Sequence, residues 1–177
     1  MDLSTQEEIK GMFPEDFEER KEQLIKAGFW RGDKVTLKFL FGNIHSMEKN
    51  PKPAVSDPSK QNIHRWMMYV NIAQVDKELT GKFIEKVTYH LHPTFNPSKI
   101  EVKQYPFILS RLGWGYFEVH IEIVFKAWTR IPKMELDHML SFENGGGPSA
   151  AFFIEVEREW VDKADKDILK GMAGLSL

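Results

Sequence analysis

The feature that most constrains the fold is a strict alternation of apolar and polar residues near the middle of the chain. The apolar set is Phe117, Val119, Ile121, Ile123 and Phe125. Glu118, His120 and Glu122 lie between them. A period of two places one side of a strand against a core and the other towards solvent, so residues 117–125 are predicted to form a half-buried β-strand.

The same alternation recurs along the chain. Further strands are predicted at 35–41, 66–72, 86–92, 134–140 and 152–156. A polar loop with three prolines is predicted over 43–62, a polar connection over 74–82 and a flexible glycine-rich turn over 144–148. Short alternating strands separated by turn signals are typical of an antiparallel β-sandwich.

Composition narrows the class of protein. A length of 177 residues predicts one domain with short appendages. The chain has no cysteine, which excludes disulfides and thiolate metal sites and favours an intracellular location. A net charge of −2 argues against a protein whose main role is to bind the phosphate backbone of nucleic acids. Neither a membrane-spanning run nor a signal peptide is recognisable, so no membrane partner is expected.

The two ends of the chain differ from the sandwich. Residues 1–33 are acidic and carry helix signals, including Pro14 and a stop at Gly28, and they predict a helical N-terminal extension. Its apolar stripe favours packing on the sandwich, and a partner-binding or self-blocking arm is the alternative. The sandwich is assigned to 34–159. Trp160, Ala164 and Ile168 recur at four-residue steps, which predicts a short C-terminal helix within 160–177.

Four short motifs, taken together and in this order, resemble those of the YEATS domain, a chromatin module that reads acylated lysine on histone tails. They are Phe41-Gly42-Asn43, His64-Arg65-Trp66-Met67-Met68-Tyr69-Val70, Leu91-His92-Pro93-Thr94-Phe95 and Gly113-Trp114-Gly115-Tyr116-Phe117. The resemblance implies an immunoglobulin-like β-sandwich. One departure is Ile63, where the family usually has threonine, and it predicts an altered pocket rim.

The resemblance also implies a binding site on two loops. Phe95 and Trp114 would form the walls of a slot for the flat acyl-amide, and His92 would steady the Thr94 hydroxyl that contacts that amide. The N–H of Trp114 would meet the acyl carbonyl. The implied acyl-lysine site is His92, Thr94, Phe95, Gly113, Trp114 and Gly115, with the two glycines allowing close approach of the backbone.

The implied function is that of a nuclear, non-enzymatic reader of acetyl- or crotonyl-lysine, with crotonyl bound more tightly. The implied partners are an acylated histone H3 tail and other subunits of an acetyltransferase, remodelling or transcription complex. Lys99, Lys103 and Arg111 are predicted to form a solvated face, and weak contact of these cations with nucleosomal DNA is the alternative. No cofactor and no metal are expected.

Three alternatives remain open from the residues themselves. The sandwich could scaffold a chromatin complex with an idle pocket. His90 and His92 could bind a metal together with His120 or His138. Thr94 beside His92 could serve as an activated nucleophile, although no orienting carboxylate is readable. His120 and His138 are predicted to be hydrogen-bonded structural histidines.

Overall fold

The alternating segments form strands that pair into two antiparallel sheets. The computed structural model describes residues 30–31, 34–73 and 77–164. In these ranges the first sheet contains β1 (Trp30–Arg31), β2 (Lys34–Met47), β3 (His64–Ile72), β6 (Leu109–Gly113) and β9 (Ala150–Glu157). The second sheet has the order β5-β4-β7-β8, formed by β4 (Ile84–His90), β5 (Lys99–Val102), β7 (Glu118–Phe125) and β8 (Met134–Met139). The predicted β-sandwich is confirmed.

Short helices connect the strands. Two of them adjoin each other before β4, the 3-10 helix Lys77–Leu79 and α1 (Thr80–Phe83). Further 3-10 helices are Ala127–Thr129 and Glu143–Gly145, and α2 (Arg158–Ala164) follows β9. No helix in the described part of the chain is long and apolar enough to cross a membrane.

The apolar faces of both sheets meet in one core. The alternating apolar side chains of β3 are all buried: Trp66, Met68, Val70 and Ile72. The inner side chains of β7 are buried as well. Phe39 of β2 stacks on a β9 ring, Phe152, at 5.2 Å between centroids. Burying these aromatic and branched side chains contributes roughly 1.5–3 kcal/mol each, which makes this core the main source of stability.

A buried asparagine ties β2 to the chain that follows β8. Asn43 is 3% exposed. Its Oδ1 accepts hydrogen bonds from His138 Nε2 at 2.8 Å and from the Ser141 backbone N–H at 2.9 Å. Its Nδ2 donates to the Ser141 carbonyl at 2.8 Å. The amide is therefore satisfied on both sides, and the prediction that His138 is a structural histidine is confirmed.

Several predicted boundaries were wrong. The loop predicted to begin at residue 43 begins after Met47, because β2 continues along β3 until Met47 opposes His64. In the second sheet, β4 ends at His90, so His92 lies in a turn and does not share a strand face with it. Thr88 alternates with the apolar residues Val87 and Tyr89, a pattern that predicts a solvent-facing side chain, but it is 1% exposed. It lies between its register partners Glu101 and Glu122, whose carboxylates contact the lysine ammonium groups of Lys86 and Lys133.

Two strands were not foreseen within 86–126. β5 pairs with β4, and β6 crosses to the first sheet, where it pairs with β3. This crossover places the loop after β6 at the interface between sheets.

Most of the predicted terminal helices lie outside the described residues. Trp30–Arg31, at the end of the segment assigned to the N-terminal extension, pairs with β2 as β1. In the C-terminal segment, α2 begins at Arg158, and residues 165–177 fall outside the description.

Candidate functional site

All six predicted site residues line one cavity at one end of the sandwich. β4 ends at His90 and leads into the first predicted loop, and β6 ends at Gly113 and leads into the second. The cavity has a volume of about 450 Å³. Its lining includes His92, Thr94, Phe95, Gly113, Trp114 and Gly115. The strand ends thus bring together residues that lie some twenty positions apart in sequence.

The two predicted walls differ in their packing. Phe95 is partly buried and meets Trp66 edge-on at 6.0 Å and Phe117 at 5.4 Å between ring centroids. Trp66 is fully buried, so Phe95 is anchored on the core. Trp114 is 40% exposed. Only one wall of the slot is therefore built on the hydrophobic core.

His92 and Thr94 contact each other as predicted. The turn is closed by the Phe95 N–H, which donates to the His92 carbonyl at 3.0 Å. His92 Nδ1 lies 3.3 Å from the Thr94 backbone nitrogen, whose N–H donates to it, and 2.9 Å from Thr94 Oγ1. Because Nδ1 accepts the backbone N–H, it also accepts the hydroxyl proton. The lone pairs of Thr94 Oγ1 are then left to accept a hydrogen bond from a ligand.

The glycines of the second loop have different surroundings. A Cβ on Gly113 would lie 3.2 Å from Trp66 Nε1 and 3.8 Å from Phe95 Cζ, so a side chain there would press on the base of the slot. Among the described residues, a Cβ on Gly115 would meet nothing within 4 Å. The space beside Gly115 is open to a ligand.

A third loop contributes lining residues that the sequence did not indicate. Residues 48–62 fold back on themselves through a bridge between Pro53 and Gln61 and a hydrogen bond from the Ala54 N–H to the Lys60 carbonyl at 2.9 Å. Val55 and Asn62 of this loop line the cavity. The prolines predicted an irregular segment, and only its backbone pairing reveals that it closes one side of the site. Ile63, the residue predicted to alter the rim, is absent from the cavity lining among the described residues.

The electrostatics of the cavity are neutral to positive. Among the described residues that line it, none is acidic. Arg111 lines the wall and donates to the Ser110 carbonyl at 2.8 Å. Lys60 Nζ lies 5.8 Å from the centre of the Trp114 ring, close enough for a cation–π contact. A buried ammonium would find no carboxylate partner among the described residues of this cavity.

An aromatic layer supports the far side of the cavity. Tyr116, a lining residue, stacks on Phe142 at 4.4 Å, and Phe142 stacks in turn on His64 at 4.1 Å and on His45 at 4.6 Å. His45 Nε2 and His64 Nδ1 share a hydrogen bond of 2.9 Å. Burial and the neighbouring His45 lower the pKa of His64.

The remaining histidines and cations do not converge on the cavity. His120 Nδ1 hydrogen-bonds Asp137 Oδ1 at 2.7 Å, which confirms its prediction as a hydrogen-bonded histidine. His90 lies beside His120, with ring centroids 5.4 Å apart. Lys99 is exposed, and Lys103 Nζ lies 3.6 Å from Glu101.

Comparison with known proteins identifies the family of this sandwich. Residues 61–144 match the YEATS family. The chain is 32% identical over 116 residues to the protein AF-9 homolog of Emericella nidulans, covering 66% of this chain and 41% of that protein. It is 30% identical over 92 residues to transcription initiation factor TFIID subunit 14b of Arabidopsis thaliana, covering 51% of this chain and 34% of that protein. The chain thus spans less than half the length of these curated relatives.

Solved structures agree with this assignment. A structure of the Yaf9 YEATS domain recognizing an H3K122suc peptide superposes with a TM-score of 0.58 and 26% identity, covering 77% of this chain and 94% of that chain. The match therefore extends over most of the described sandwich. The segment 61–144 belongs to the YEATS family, and the β-sandwich that contains it has the fold of solved YEATS domains.

Proposed function

We propose that this YEATS domain binds acylated lysine on a histone H3 tail and acts as a non-enzymatic reader. The observation that carries the proposal is the cavity between Phe95 and Trp114, which combines aromatic walls with the Thr94 hydroxyl and, among the described lining residues, no acidic group. An acylated lysine side chain ends in a flat, neutral amide, and such a group matches both the shape and the charge of this cavity.

Two physical terms select the acylated form. Stacking between aromatic faces is worth roughly 0.5–1.5 kcal/mol beyond area burial, and it suits a planar amide. A free lysine would bury an ammonium near Arg111 and Lys60, where the described lining offers no carboxylate partner. Burying an unpaired charge costs several kcal/mol, so the unmodified side chain is rejected.

The polar atoms of the amide need partners as well. Thr94 Oγ1 accepts the amide N–H, since its own proton is donated to His92 Nδ1. The backbone N–H of Trp114 donates to the acyl carbonyl, and the open space beside Gly115 admits the approach. Each of these bonds prevents the cost of about 1–3 kcal/mol for a buried, unsatisfied polar group.

The identity of the peptide and of the wider assembly is inferred from relatives. The Yaf9 YEATS domain recognizes an H3K122suc peptide, and a further relative is a TFIID subunit. We propose an acylated H3 tail as the ligand and membership of a nuclear transcription or chromatin complex, with 34–159 as the reading domain and the helical ends 1–33 and 160–177 as its appendages. Weak DNA contact through Lys99, Lys103 and Arg111 stays part of this proposal.

The direct test is calorimetric titration with H3 peptides that differ only in the acyl group of one lysine. Acetyl-lysine peptide should bind with a dissociation constant between about 1 mM and 1 µM, as expected for one side chain and a few backbone contacts, and unmodified peptide should show no saturable binding. Equal binding of both peptides would contradict the reader and favour a scaffold with an idle pocket.

A crotonyl peptide sharpens this test. Its conjugated chain extends the flat surface between Phe95 and Trp114, so it should bind about two- to tenfold tighter than acetyl. A butyryl peptide of the same length lacks the conjugation and is the matched control. If butyryl equals crotonyl, chain length rather than stacking sets the preference.

A further inference from the structure

The solvent face of the second sheet carries four side chains that the acyl-lysine site does not use. They are His90 of β4, His120 and Glu122 of β7 and Glu135 of β8. The register opposes His90 to His120 and Glu122 to Glu135. Side chains opposite each other on antiparallel strands have Cβ atoms about 4.5–5.5 Å apart, and residues two apart on a strand share a face. The four therefore form one patch that crosses three strands.

Within this patch, nitrogen and oxygen atoms converge. Potential ligand atoms of His120, Glu122 and Glu135 all lie within 4.8 Å of one another. His120 Nε2 is 4.0 Å from Glu135 Oε2. His90 Nε2 is 3.5 Å from Glu122 Oε2, and this buried nitrogen has no hydrogen-bond partner among the residues that the structure describes. His90 Nε2 and His120 Nε2 thus each face a carboxylate oxygen to which they make no hydrogen bond in the described structure.

A fifth residue fixes the orientation of one imidazole. Asp137, the register partner of His120, accepts a hydrogen bond from His120 Nδ1 at 2.7 Å. With its proton on Nδ1, His120 presents an Nε2 lone pair towards Glu135. A carboxylate behind a histidine in this way is the usual outer support of a metal-ligating imidazole, where it sets the tautomer and raises the basicity of the ligand.

We propose that His90, His120, Glu122 and Glu135 form a site for a divalent transition metal, with Zn²⁺ as the best fit. Imidazole nitrogen and carboxylate oxygen both bind Zn²⁺ at about 2.0–2.2 Å, and four such ligands suit its tetrahedral preference. Ligand atoms of His120, Glu122 and Glu135 already lie within 4.8 Å of one another, and His90 Nε2 lies 3.5 Å from Glu122 Oε2, so rotation of these side chains would bring all four around one ion. A bound ion would join β4, β7 and β8, and it would hold β4 just before the turn that carries His92 and Thr94.

Lys133 competes with the metal for the same carboxylates. Its Nζ lies 2.7 Å from Glu135 Oε1 and 3.4 Å from Glu122 Oε1. An entering cation must displace this ammonium, which is 48% exposed and free to swing into solvent. We therefore expect substitution of a ligand residue to weaken metal binding and substitution of Lys133 to strengthen it.

The experiment is a titration of tag-free, full-length protein with ZnCl₂ by calorimetry, repeated with Co²⁺ while its visible absorption is recorded. One equivalent of Zn²⁺ should bind with micromolar affinity, the melting temperature should rise with Zn²⁺ concentration, and Co²⁺ should give the strong visible bands of a four-coordinate site. Binding weaker than about 1 mM, or octahedral Co²⁺ spectra alone, would overturn the proposal.

Variants separate this site from non-specific binding. His120→Asn should weaken Zn²⁺ binding by more than tenfold, and the positioning variant Asp137→Asn should weaken it by about tenfold. Lys133→Gln should tighten it. Glu118→Gln, on the same face of β7 but outside the patch, is the matched control for Glu122→Gln and should bind like the wild type. The proposal fails if His120→Asn binds as the wild type does.

Discussion

Phe95 and Trp114 face the same cavity, but the fold depends on them unequally. The Phe95 ring packs against Trp66 and Phe117, which belong to the interior of the sandwich or adjoin it. Trp114 is 40% exposed and has Lys60 over its ring. Phe95 therefore contributes to both ligand binding and stability, whereas Trp114 contributes mainly to ligand binding.

This difference predicts distinct outcomes for the two alanine variants. Trp114→Ala should abolish acyl-peptide binding and change the free energy of unfolding by no more than about 0.5 kcal/mol, as for most surface substitutions. Phe95→Ala should abolish binding and also lower that free energy by about 1–2 kcal/mol, a fraction of the cost of emptying a fully buried phenylalanine site. Urea denaturation and peptide titration measure both quantities, and equal stability losses would show that Trp114 also belongs to the core.

The Thr94 hydroxyl can be tested without changing the shape of the site. Thr94→Val keeps the branched side chain but removes the acceptor, so acetyl-peptide binding should weaken by about 1–2 kcal/mol, or roughly five- to thirtyfold. Thr36→Val, near the start of β2 and outside the cavity lining, is the control and should bind like the wild type. Unchanged affinity in the Thr94 variant would mean that the ligand amide does not contact this hydroxyl.

At the scale of elements, the connection between β8 and β9 is set by backbone geometry. Asn144, Gly145, Gly146 and Gly147 all have positive φ, and Gly146 has a φ of 132°. A Cβ on Gly146 would lie 2.1 Å from the Asn43 carbonyl oxygen and 2.7 Å from Ile44 Cα. The sequence predicted a flexible turn here, whereas the structure holds the turn against the backbone of β2.

Gly146→Ala should therefore destabilise the fold. Both the strained φ and the clash with β2 oppose the new side chain, and we expect a loss of about 2 kcal/mol or more in the free energy of unfolding. Gly115→Ala is the matched control, because its Cβ meets no described atom within 4 Å, and its stability should match the wild type. A Gly146 variant as stable as that control would show that the turn is not held against β2.

Local patterns predicted most strands but not their partners. The alternation in β7 depends only on which face is buried, and a single strand carries that information. The crossover of β6 to pair with β3 depends on the whole assembly and leaves no local signal. The burial of Thr88 has the same origin, since charged neighbours on adjacent strands cover it.

The candidate site was predictable to a similar degree. The motifs around Thr94 and Trp114 named six residues that share one cavity. They did not indicate Val55 or Asn62, because the backbone hydrogen bonds that fold this loop back on itself leave no pattern in its side chains. The proximity of His90 to His120 likewise follows from strand register alone.

At the scale of the whole molecule, His138 makes stability sensitive to acid. Burial lowers the pKa of His138, which bridges to Asn43 as the neutral imidazole. Above the ordinary histidine pKa of about 6.5, the side chain is neutral in both the folded and the unfolded chain, so its full contribution to folding stability is present. As pH falls below that value, the unfolded chain takes up a proton that the folded chain does not, so stability is lost.

The urea concentration at the unfolding midpoint should consequently decrease as the pH is lowered from 7.5 to 5.5. It should decrease less in His138→Gln. Glutamine keeps a donor towards Asn43 but does not titrate in this range. Met139→Gln, the exposed neighbour on β8, is the control and should retain the wild-type pH dependence. An identical pH dependence in His138→Gln would assign the acid sensitivity to other groups, such as His64.

The pairing of β2 with β9 has a consequence for how the chain folds during synthesis. Val35 near the start of the described sequence opposes Val156 near its end. In a nascent chain, the edge of β2 that pairs with β9 therefore stays unpaired until β9 has left the ribosome. Pairing of strands so far apart in sequence is intrinsically slow. The domain should fold late in translation, and in that interval the exposed β2 edge is open to chaperones and to aggregation.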